Sequence, residues 1–435
     1  MNVVGSGGDL PAVLDAVALG ELVAASVAHR RTAGGDEPAP VADGDVVVLG
    51  AEVVRPGRPG LVSVVATVGA VRRHVVLGLR APGDEVRFLA DADDAPLGII
   101  EDDAGLAVVF DALGDAELAT LLLEAVAGDQ GTVEWVHRIA ELPELVSLAY
   151  DDRLALTVFQ QLPPPGARNP ALELYLGLDR AGFNQLLAPV ALWQRDGADL
   201  GVVTEYQPGT TAGWDLALAS LRDLAESGVA PEDAGADFAA EAHRLGTMTA
   251  RMHLALDAAF GRRQGDVPTW TDAVEASVRA ADPAIAEDAG VRALLAELRR
   301  TTRPCVAIRT HGDFDLGRVA RTDLGWLVLD CSPGGVPQGG GTEPVFRSPL
   351  ADVADMLWSL HRVADVAAVE RDPTGEAGLR QLTQAWEVRN RRAYLAGYLA
   401  TPGIGGLVPP GRDLVRTLAA AFELERSALG VAARG

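Results

Sequence analysis

Two hydrophobic patterns divide the chain and limit the folds that it can adopt. In the first half, valine-rich runs at 45–54, 61–68 and 72–79 are separated by turn residues, the pattern of an antiparallel sheet. From Gly213 onward the apolar residues recur mostly with helical spacing. The pattern therefore predicts an α+β protein, with a strand-rich first part and a mostly helical second part.

The helical pattern is clearest at 237–256, where apolar residues three and four positions apart form one face: Phe238, Ala242, Leu245, Met248, Met252 and Ala255. His243 and His253 flank this face and have no acidic partner at metal-ligand spacing, so surface or packing roles are favoured. Further helices are predicted at 10–30, 114–128, 169–182, 350–369, 376–399 and 411–428, and further strands at 153–162, 200–209, 305–313 and 325–331.

Composition excludes several classes of function. The net charge of −24 predicts neither nucleic-acid nor anionic-membrane partners, and no apolar run is long enough to span a bilayer. The N-terminus lacks the basic region of a signal peptide, and two cysteines without zinc-site spacing suit a cytoplasmic location. All 37 basic residues are arginine, so a Schiff-base lysine and a Walker A motif are ruled out.

The stretch "THGDFDLGRVARTDLGWLVLDCSP" (310–333) carries the most specific chemistry. Asp313 ends one strand-like run, and Asp330 ends a second run 17 residues later. A phosphotransferase needs a carboxylate beside the acceptor hydroxyl and a ligand for magnesium, which are the roles predicted for Asp313 and Asp330 respectively. The alternative is a turn in which Asp313 caps its own backbone.

This stretch resembles the pattern H-G-D-x-H-x-x-N/Q followed by D-F-E, found in aminoglycoside and choline kinase relatives. The chain resembles the bacterial maltokinases and actinobacterial glucosamine kinases more closely, across most of 95–400. The segments that carry this resemblance are "VVFDALGDAELATLLLEAVA", "NPALELYLGLDRAG", "LGVVTEYQPGTTAGWDLALASLRDL", "DFAAEAHRLG", "SPLADVADMLWSL" and "WEVRNRRAYLAGY".

The resemblance implies a two-lobed protein-kinase-like (aminoglycoside phosphotransferase-like) fold with an N-terminal β-rich cap domain. The expected divisions are a cap at 1–130, an N-lobe or intermediate segment at 131–212 and a helical C-lobe at 213–435. ATP and Mg²⁺ are the implied cofactors. Asp313 matches the catalytic base and Asp330 the metal-binding aspartate.

The resemblance also assigns the nucleotide site. Glu173 matches the helix glutamate that pairs with the phosphate-binding lysine. The backbone around Glu205 and Tyr206 matches the hinge that binds adenine.

Several positions depart from the family pattern. Thr157 replaces the phosphate-binding lysine, and Arg318 replaces the asparagine or glutamine of the metal site. Asp315 stands where the second histidine is expected. Arginine has no lone pair for a metal and stays protonated, so one interpretation is lost phosphoryl transfer. The other is rearrangement, in which Asp315 becomes a metal ligand and Arg318 contacts the γ-phosphate.

Two functions therefore remain open. The first is an ATP-dependent kinase of maltose or an amino sugar such as glucosamine, with Trp386 and Glu387 contacting the sugar; for Trp386 the alternative is core packing. The acidic charge suits an amino sugar, although it also serves solubility. The second is a pseudokinase, with a possible protein partner in glycan metabolism, in which Arg318 pairs with Asp313 or Asp330.

Overall fold

The computed structural model describes residues 2–3, 14–33, 46–90, 92, 95–102, 105–227, 231, 237–329, 346–371 and 377–432. The chain divides into two compact units. The first unit comprises Met1–Leu172 and Leu187–Pro208, and the second comprises Glu173–Leu186 and Gly209–Gly435. The predicted cap (1–130) and most of the predicted intermediate segment (131–212) thus fall in the first unit, and the predicted three-part division remains a proposal.

In its described residues, the first unit contains strands and the two helices α1 and α2. In chain order they are β1 (Asn2–Val3), α1 (Ala16–Ala33), β2 (Val46–Arg55), β3 (Gly60–Val68), β4 (Val71–Arg80), β5 (Gly98–Asp102), β6 (Gly105–Asp111), α2 (Ala116–Ala127), β7 (Val136–Leu142), β8 (Leu145–Tyr150), β9 (Leu154–Phe159), β10 (Gln161–Leu162), β11 (Pro189–Arg195) and β12 (Ala198–Glu205). Helix α3 (Pro170–Arg180) crosses the boundary between the units.

Two sheets organise these strands. One has the order β2-β3-β4-β6-β5, with β10 paired to β4, and the other has the order β1-β11-β12-β9-β8-β7. The valine-rich runs form the antiparallel β2-β3-β4 meander, as predicted. Their alternate side chains are buried with Leu19, Leu22 and Val23 of α1, so the hydrophobic effect holds this helix against the sheet.

A buried ion pair fixes the start of α2. Asp115 caps the helix by accepting hydrogen bonds from the backbone N–H groups of Glu117 and Leu118. Arg80 donates to both oxygens of the same carboxylate, over 2.6 and 2.8 Å. Because this carboxylate is saturated by donors, its burial is compensated.

The second unit is mostly helical. In chain order its elements are β13 (Thr211–Ala212), α4 (Gly213–Ser227), α5 (Ala239–Phe260), β14 (Arg262–Gly265), α6 (Val267–Ala281), α7 (Pro283–Ala286), α8 (Ala289–Arg299), β15 (Cys305–Arg309), β16 (Val319–Thr322), β17 (Gly325–Val328), β18 (Phe346–Arg347), α9 (Leu350–Arg371), α10 (Ala377–Ala400) and α11 (Arg412–Ala432). The first part of α10 and the end of α9 are described by their backbone only.

The predicted apolar face of α5 lies in the core of this unit, and all six of its residues are buried. At Gly246 the helix passes so close to α10 that an added Cβ would lie 2.0 Å from the carbonyl oxygen of Tyr394. His253 is also buried. Its Nδ1 forms a hydrogen bond with the hydroxyl of Tyr398, and its Nε2 forms one with the carboxylate of Asp352. The packing role predicted for His253 is therefore confirmed.

The two strand-like runs around 310–330 both contain a strand, β15 and β17, and these strands lie in different sheets. β15 lies between β14 and β18, whereas β17 pairs with β16 through a tight turn at Asp323 and Leu324. The segment 319–322 was not predicted as a strand, and it forms an antiparallel hairpin with β17. Within the described parts of the chain, none of the helices has the length and apolarity needed to cross a bilayer.

Candidate active site

The segment between β15 and β16 carries the predicted catalytic residue. It leaves β15 through Thr310 and His311, turns at Gly312 and continues past Asp313 into a short 3₁₀ turn at Leu316–Arg318. Gly312 has φ +89°, a left-handed conformation that glycine adopts without a Cβ clash. The glycine thus allows a sharp change of direction directly before Asp313.

Asp352, on α9, holds the backbone of this turn through two hydrogen bonds. Its Oδ2 accepts the backbone N–H of His311 at 2.8 Å, and its Oδ1 accepts that of Gly312 at 2.9 Å. The ring Nε2 of His253 lies 3.0 Å from Oδ2. Burial alone would raise the pKa of Asp352, but the contact with His253, the charge of His311 and the backbone N–H of Gly312 hold the pKa below its usual value.

Two arginines contact the carboxylate of Asp313, which is 6% exposed. Arg318 donates from Nη2 to Oδ2 at 2.7 Å, and Arg426 of α11 donates from Nη2 to Oδ1 at 2.5 Å. Each oxygen of the predicted catalytic carboxylate is therefore bound to a different guanidinium group. The pairing of Arg318 with Asp313 is one of the two arrangements expected for a pseudokinase.

Two further carboxylates lie beside Arg426. Asp315 accepts the backbone N–H of Gly317 at 2.9 Å through Oδ1, and its Oδ2 lies 3.5 Å from Arg426 Nη2. Its pKa is raised by burial and by the nearby charge of Asp313. Asp355 lies 3.8 Å from Arg426 Nε, and burial raises its pKa to about 8 despite that guanidinium group.

The described residues do not by themselves form a complete magnesium site. Mg²⁺ needs near-octahedral oxygen ligands, and Arg318 offers donors where an amide oxygen is expected. Both oxygens of Asp313 already accept hydrogen bonds from guanidinium groups, and one oxygen of Asp315 accepts a backbone N–H. Asp330 lies outside the described residues, and the described residues contain no group of three or more His, Cys, Asp or Glu able to hold a metal ion.

Glu173, the predicted partner of the phosphate-binding lysine, contacts an arginine of its own unit. Arg309, the last residue of β15, donates from Nη1 to Glu173 Oε2 at 3.2 Å. Burial lowers the pKa of Arg309, and Glu173 offsets part of that effect. Glu173 therefore has a cationic neighbour although the chain contains no lysine.

Thr157, at the position of the missing lysine, forms a neutral contact in the first unit. Its hydroxyl lies 2.7 Å from the hydroxyl of Ser147 on the neighbouring strand β8. This pair of hydroxyls satisfies the hydrogen-bonding needs of a position at which the sequence resemblance implies a charged lysine.

The predicted hinge residues Glu205 and Tyr206 use their backbone donors within the first unit. Glu205 donates to the carbonyl oxygen of Ala188 at 2.9 Å, and Tyr206 donates to that of Arg153 at 2.8 Å. Burial, and then the charge of Asp152, raise the pKa of Tyr206. In this conformation neither of these N–H groups is available to adenine, so a nucleotide contact here would need a carbonyl acceptor or a local rearrangement.

The predicted sugar residues occupy interior positions of the second unit. Trp386 is 1% exposed, stacks on Phe238 and donates its indole N–H to Ser220 Oγ at 3.1 Å. This geometry supports the core-packing alternative, and Trp386 is not retained among the residues that we propose to contact sugar. Glu387 is less buried and contacts His361 at 3.1 Å and Arg391 at 3.5 Å.

Three residues of this site were missed in the sequence: Asp352, Asp355 and Arg426. The first two lie three positions apart in "SPLADVADMLWSL", where an i, i+3 spacing of carboxylates on a helix was a usable signal. Arg426 lies in the amphipathic C-terminal helix, and its contact with Asp313 spans 113 positions of sequence. No local pattern indicates such a contact.

Comparison with known proteins identifies similar kinases. A glucosamine kinase from Streptacidiphilus jiangxiensis is 33% identical over 265 residues, which is 55% of this chain and 56% of that relative, so the match spans little more than half of the relative's length. No family model matches the chain.

Solved structures extend the likeness to the fold. A glucosamine kinase in complex with glucosamine, ADP and inorganic phosphate aligns with a TM-score of 0.64 at 23% identity, covering 95% of this chain and 94% of that chain. A second glucosamine kinase structure, crystal form A, aligns with a TM-score of 0.62 at 24% identity over the same fractions. The chain therefore has the α+β fold of these kinases, which confirms the fold class predicted from its sequence.

Proposed function

We propose that this protein is a sugar-kinase-like phosphotransferase that transfers the γ-phosphoryl group of ATP to a hydroxyl of an amino sugar of the glucosamine type. The relative and the solved structures named above support this class. The observation that carries the proposal is the turn at 311–313, because Asp352 accepts the backbone N–H groups of the two residues directly before Asp313. Maltose remains a second candidate acceptor from the sequence resemblance, and the cytoplasm is the proposed location.

The chain's own residues would act on both partners of the transfer. The acceptor oxygen forms a bond to the γ-phosphorus, the bond from that phosphorus to the bridging oxygen breaks, and ADP leaves. Asp313 would orient the hydroxyl and receive its proton, since a carboxylate oxygen that accepts one guanidinium still has a second lone pair. A loose transition state requires little base strength, so orientation is the main demand on this carboxylate.

A binding protein without phosphoryl transfer is the second candidate. Two observations favour it: Arg318 pairs with Asp313, and Thr157 has a neutral partner instead of a phosphate-binding cation. In that case the protein would bind a sugar or a nucleotide and contact a partner protein. We propose that this partner is a protein of glycan metabolism. Loss of one charge partner in a phosphoryl-transfer site costs about 10³-fold or more, so the two candidates differ measurably in rate.

The test is a product assay on the full chain with ATP, magnesium and either glucosamine or maltose, in which the sugar phosphate is detected by mass spectrometry. D313N should abolish the product, whereas D323N, at an exposed position in the β16–β17 turn, should leave it unchanged. Thermal shifts are recorded in parallel, since a ligand at 100 times its Kd adds about 2.7 kcal/mol of stability.

Sugar phosphate that depends on Asp313 supports the kinase. A ligand-induced thermal shift without product supports the binding protein. Absence of both product and shift would reject the two candidates together.

A further inference from the structure

Asp313 is held by two fixed cations. Arg318 and Arg426 approach different oxygens of its carboxylate, at 2.7 and 2.5 Å, and Arg426 also lies 3.5 Å from Asp315. Charge-assisted contacts of this length are about twice as strong as neutral hydrogen bonds. The carboxylates of Asp313 and Asp315 are thus neutralised by protein groups.

The backbone fixes Arg318 in place. Its N–H donates to the carbonyl oxygen of Asp315 at 3.1 Å, and its own carbonyl oxygen accepts the N–H of Leu329 at 2.9 Å. The first hydrogen bond closes the 3₁₀ turn, and the second ties the turn to the residue that follows β17. The guanidinium group therefore projects from a defined turn and is only partly exposed.

Two residues of α9 hold the side chain of Arg426 in place. Its guanidinium carbon lies 5.1 Å from the ring centre of Trp358, and Asp355 of α9 lies 3.8 Å from its Nε. An arginine that contacts an aromatic face and three carboxylates has little rotational freedom left. Both arginines are parts of a built site rather than mobile surface side chains.

The combined charge of Arg318 and Arg426 equals that of the magnesium ion that kinases of this general type use. In kinases of this general type, magnesium neutralises the carboxylates of the site and the phosphate oxygens of the nucleotide. Arg318 and Arg426 together carry two positive charges, and neither can lose its proton near neutral pH. Guanidinium groups also match phosphate oxygens geometrically, through paired N–H donors.

We propose that Arg318 and Arg426 replace magnesium at this site, so that the nucleotide phosphates bind to their guanidinium groups without a divalent ion. The inference rests on the proposed function, in which ATP is the phosphoryl donor. Each oxygen of Asp313 already accepts one guanidinium donor, so a magnesium ion bound to the remaining lone pairs would stand beside both arginines and be repelled by them.

Calorimetric titration of the full chain with ATP, in EDTA and in magnesium, tests this inference. The wild-type Kd is expected to differ by less than about threefold between the two buffers. R318Q and R426Q should weaken binding in EDTA by about tenfold or more, because each removes a charged donor to phosphate. R416Q is the matched control, since Arg416 lies on the same helix, is 80% exposed and contacts only the surface carboxylate of Asp413 among the ion pairs described.

The outcomes separate the inference from the function. Wild-type binding that weakens more than tenfold in EDTA overturns the inference and leaves the nucleotide-binding function standing. Variants R318Q and R426Q that bind as wild type does in EDTA also overturn it. Absence of ATP binding in both buffers rejects the inference and the proposed function together. If either variant fails to fold, as judged by circular dichroism, the wild-type comparison of the two buffers decides.

Discussion

Replacement of Asp352 by alanine should both destabilise the second unit and release the turn that carries Asp313. The substitution removes the acceptor of two backbone N–H groups and of the His253 contact, all within 3.0 Å. Asp352 is 0% exposed, so water does not replace these contacts without opening the core. Removing one partner of a buried charged network costs about 3–5 kcal/mol, and we expect a loss of that size in the free energy of unfolding.

Urea unfolding of the full chain, followed by circular dichroism and tryptophan fluorescence, measures this loss. D365A is the matched control, because Asp365 lies on the same helix with its side chain 62% exposed and contacts His361 at the surface. A surface substitution of this kind is expected to change the unfolding free energy by no more than about 0.5 kcal/mol. D352N should fall between the two, since its amide retains one acceptor oxygen for a backbone N–H.

The pH dependence gives the same prediction an independent check. Because the folded-state pKa of Asp352 lies below its usual value, its ionised form contributes stability above the unfolded-state pKa of about 3.9. This contribution is lost as the pH falls through the folded-state pKa. The difference between wild type and D352A should therefore be constant near neutral pH and shrink in acid. A difference below about 1 kcal/mol at neutral pH, or one equal to that of D365A, would refute the anchoring role of Asp352.

Three further perturbations test the charges and packing of the second unit. The pKa of Asp355 is raised to about 8 from the unfolded value of 3.8. Its protonated form therefore contributes fully to the free energy of unfolding in acid, and this contribution declines as the pH rises from 3.8 to about 8. D355N should flatten this decline when urea unfolding is measured at a series of pH values. G246A should lower the melting temperature, because overpacking against Tyr394 costs about 1–3 kcal/mol. S220A leaves the buried indole N–H of Trp386 without its acceptor, which should cost about 1–3 kcal/mol in urea unfolding and leave calorimetric sugar binding unchanged.

Local patterns predicted the elements because each depends on neighbours in sequence. The valine-rich runs became β2, β3 and β4, and the apolar face at 237–256 became the buried face of α5. The helix predicted at 114–128 is α2, which ends at Ala127, and the following Gly128 has a φ of +76° that suits glycine. In each case burial of one face decides the structure, and periodicity reports which face is apolar.

Pairing between distant segments was not predictable in the same way. The hairpin of β16 and β17 depends on a turn at Asp323 and Leu324, and the weakly apolar segment 319–322 gives little strand signal by itself. The cation opposite Asp313 comes from α11, and sequence spacing carries no information about which helix face meets the catalytic turn. The role of Trp386 was also not predictable. From the sequence, a tryptophan near a predicted sugar site suits sugar stacking and core packing equally well, and only its burial separates the two roles.

Around the positions that depart from the kinase pattern, charged groups contact opposite charges and a neutral group contacts a neutral one. A buried carboxylate needs a charged or hydrogen-bonding partner, and each of the predicted site carboxylates described in the second unit has one. Glu173 contacts Arg309, while Asp313 contacts Arg318 and Arg426. Thr157, which carries no charge, has a hydroxyl partner instead. Scattered losses would leave some of these groups unpaired, whereas each of these described groups has a partner, which favours a site stabilised by direct ion pairs.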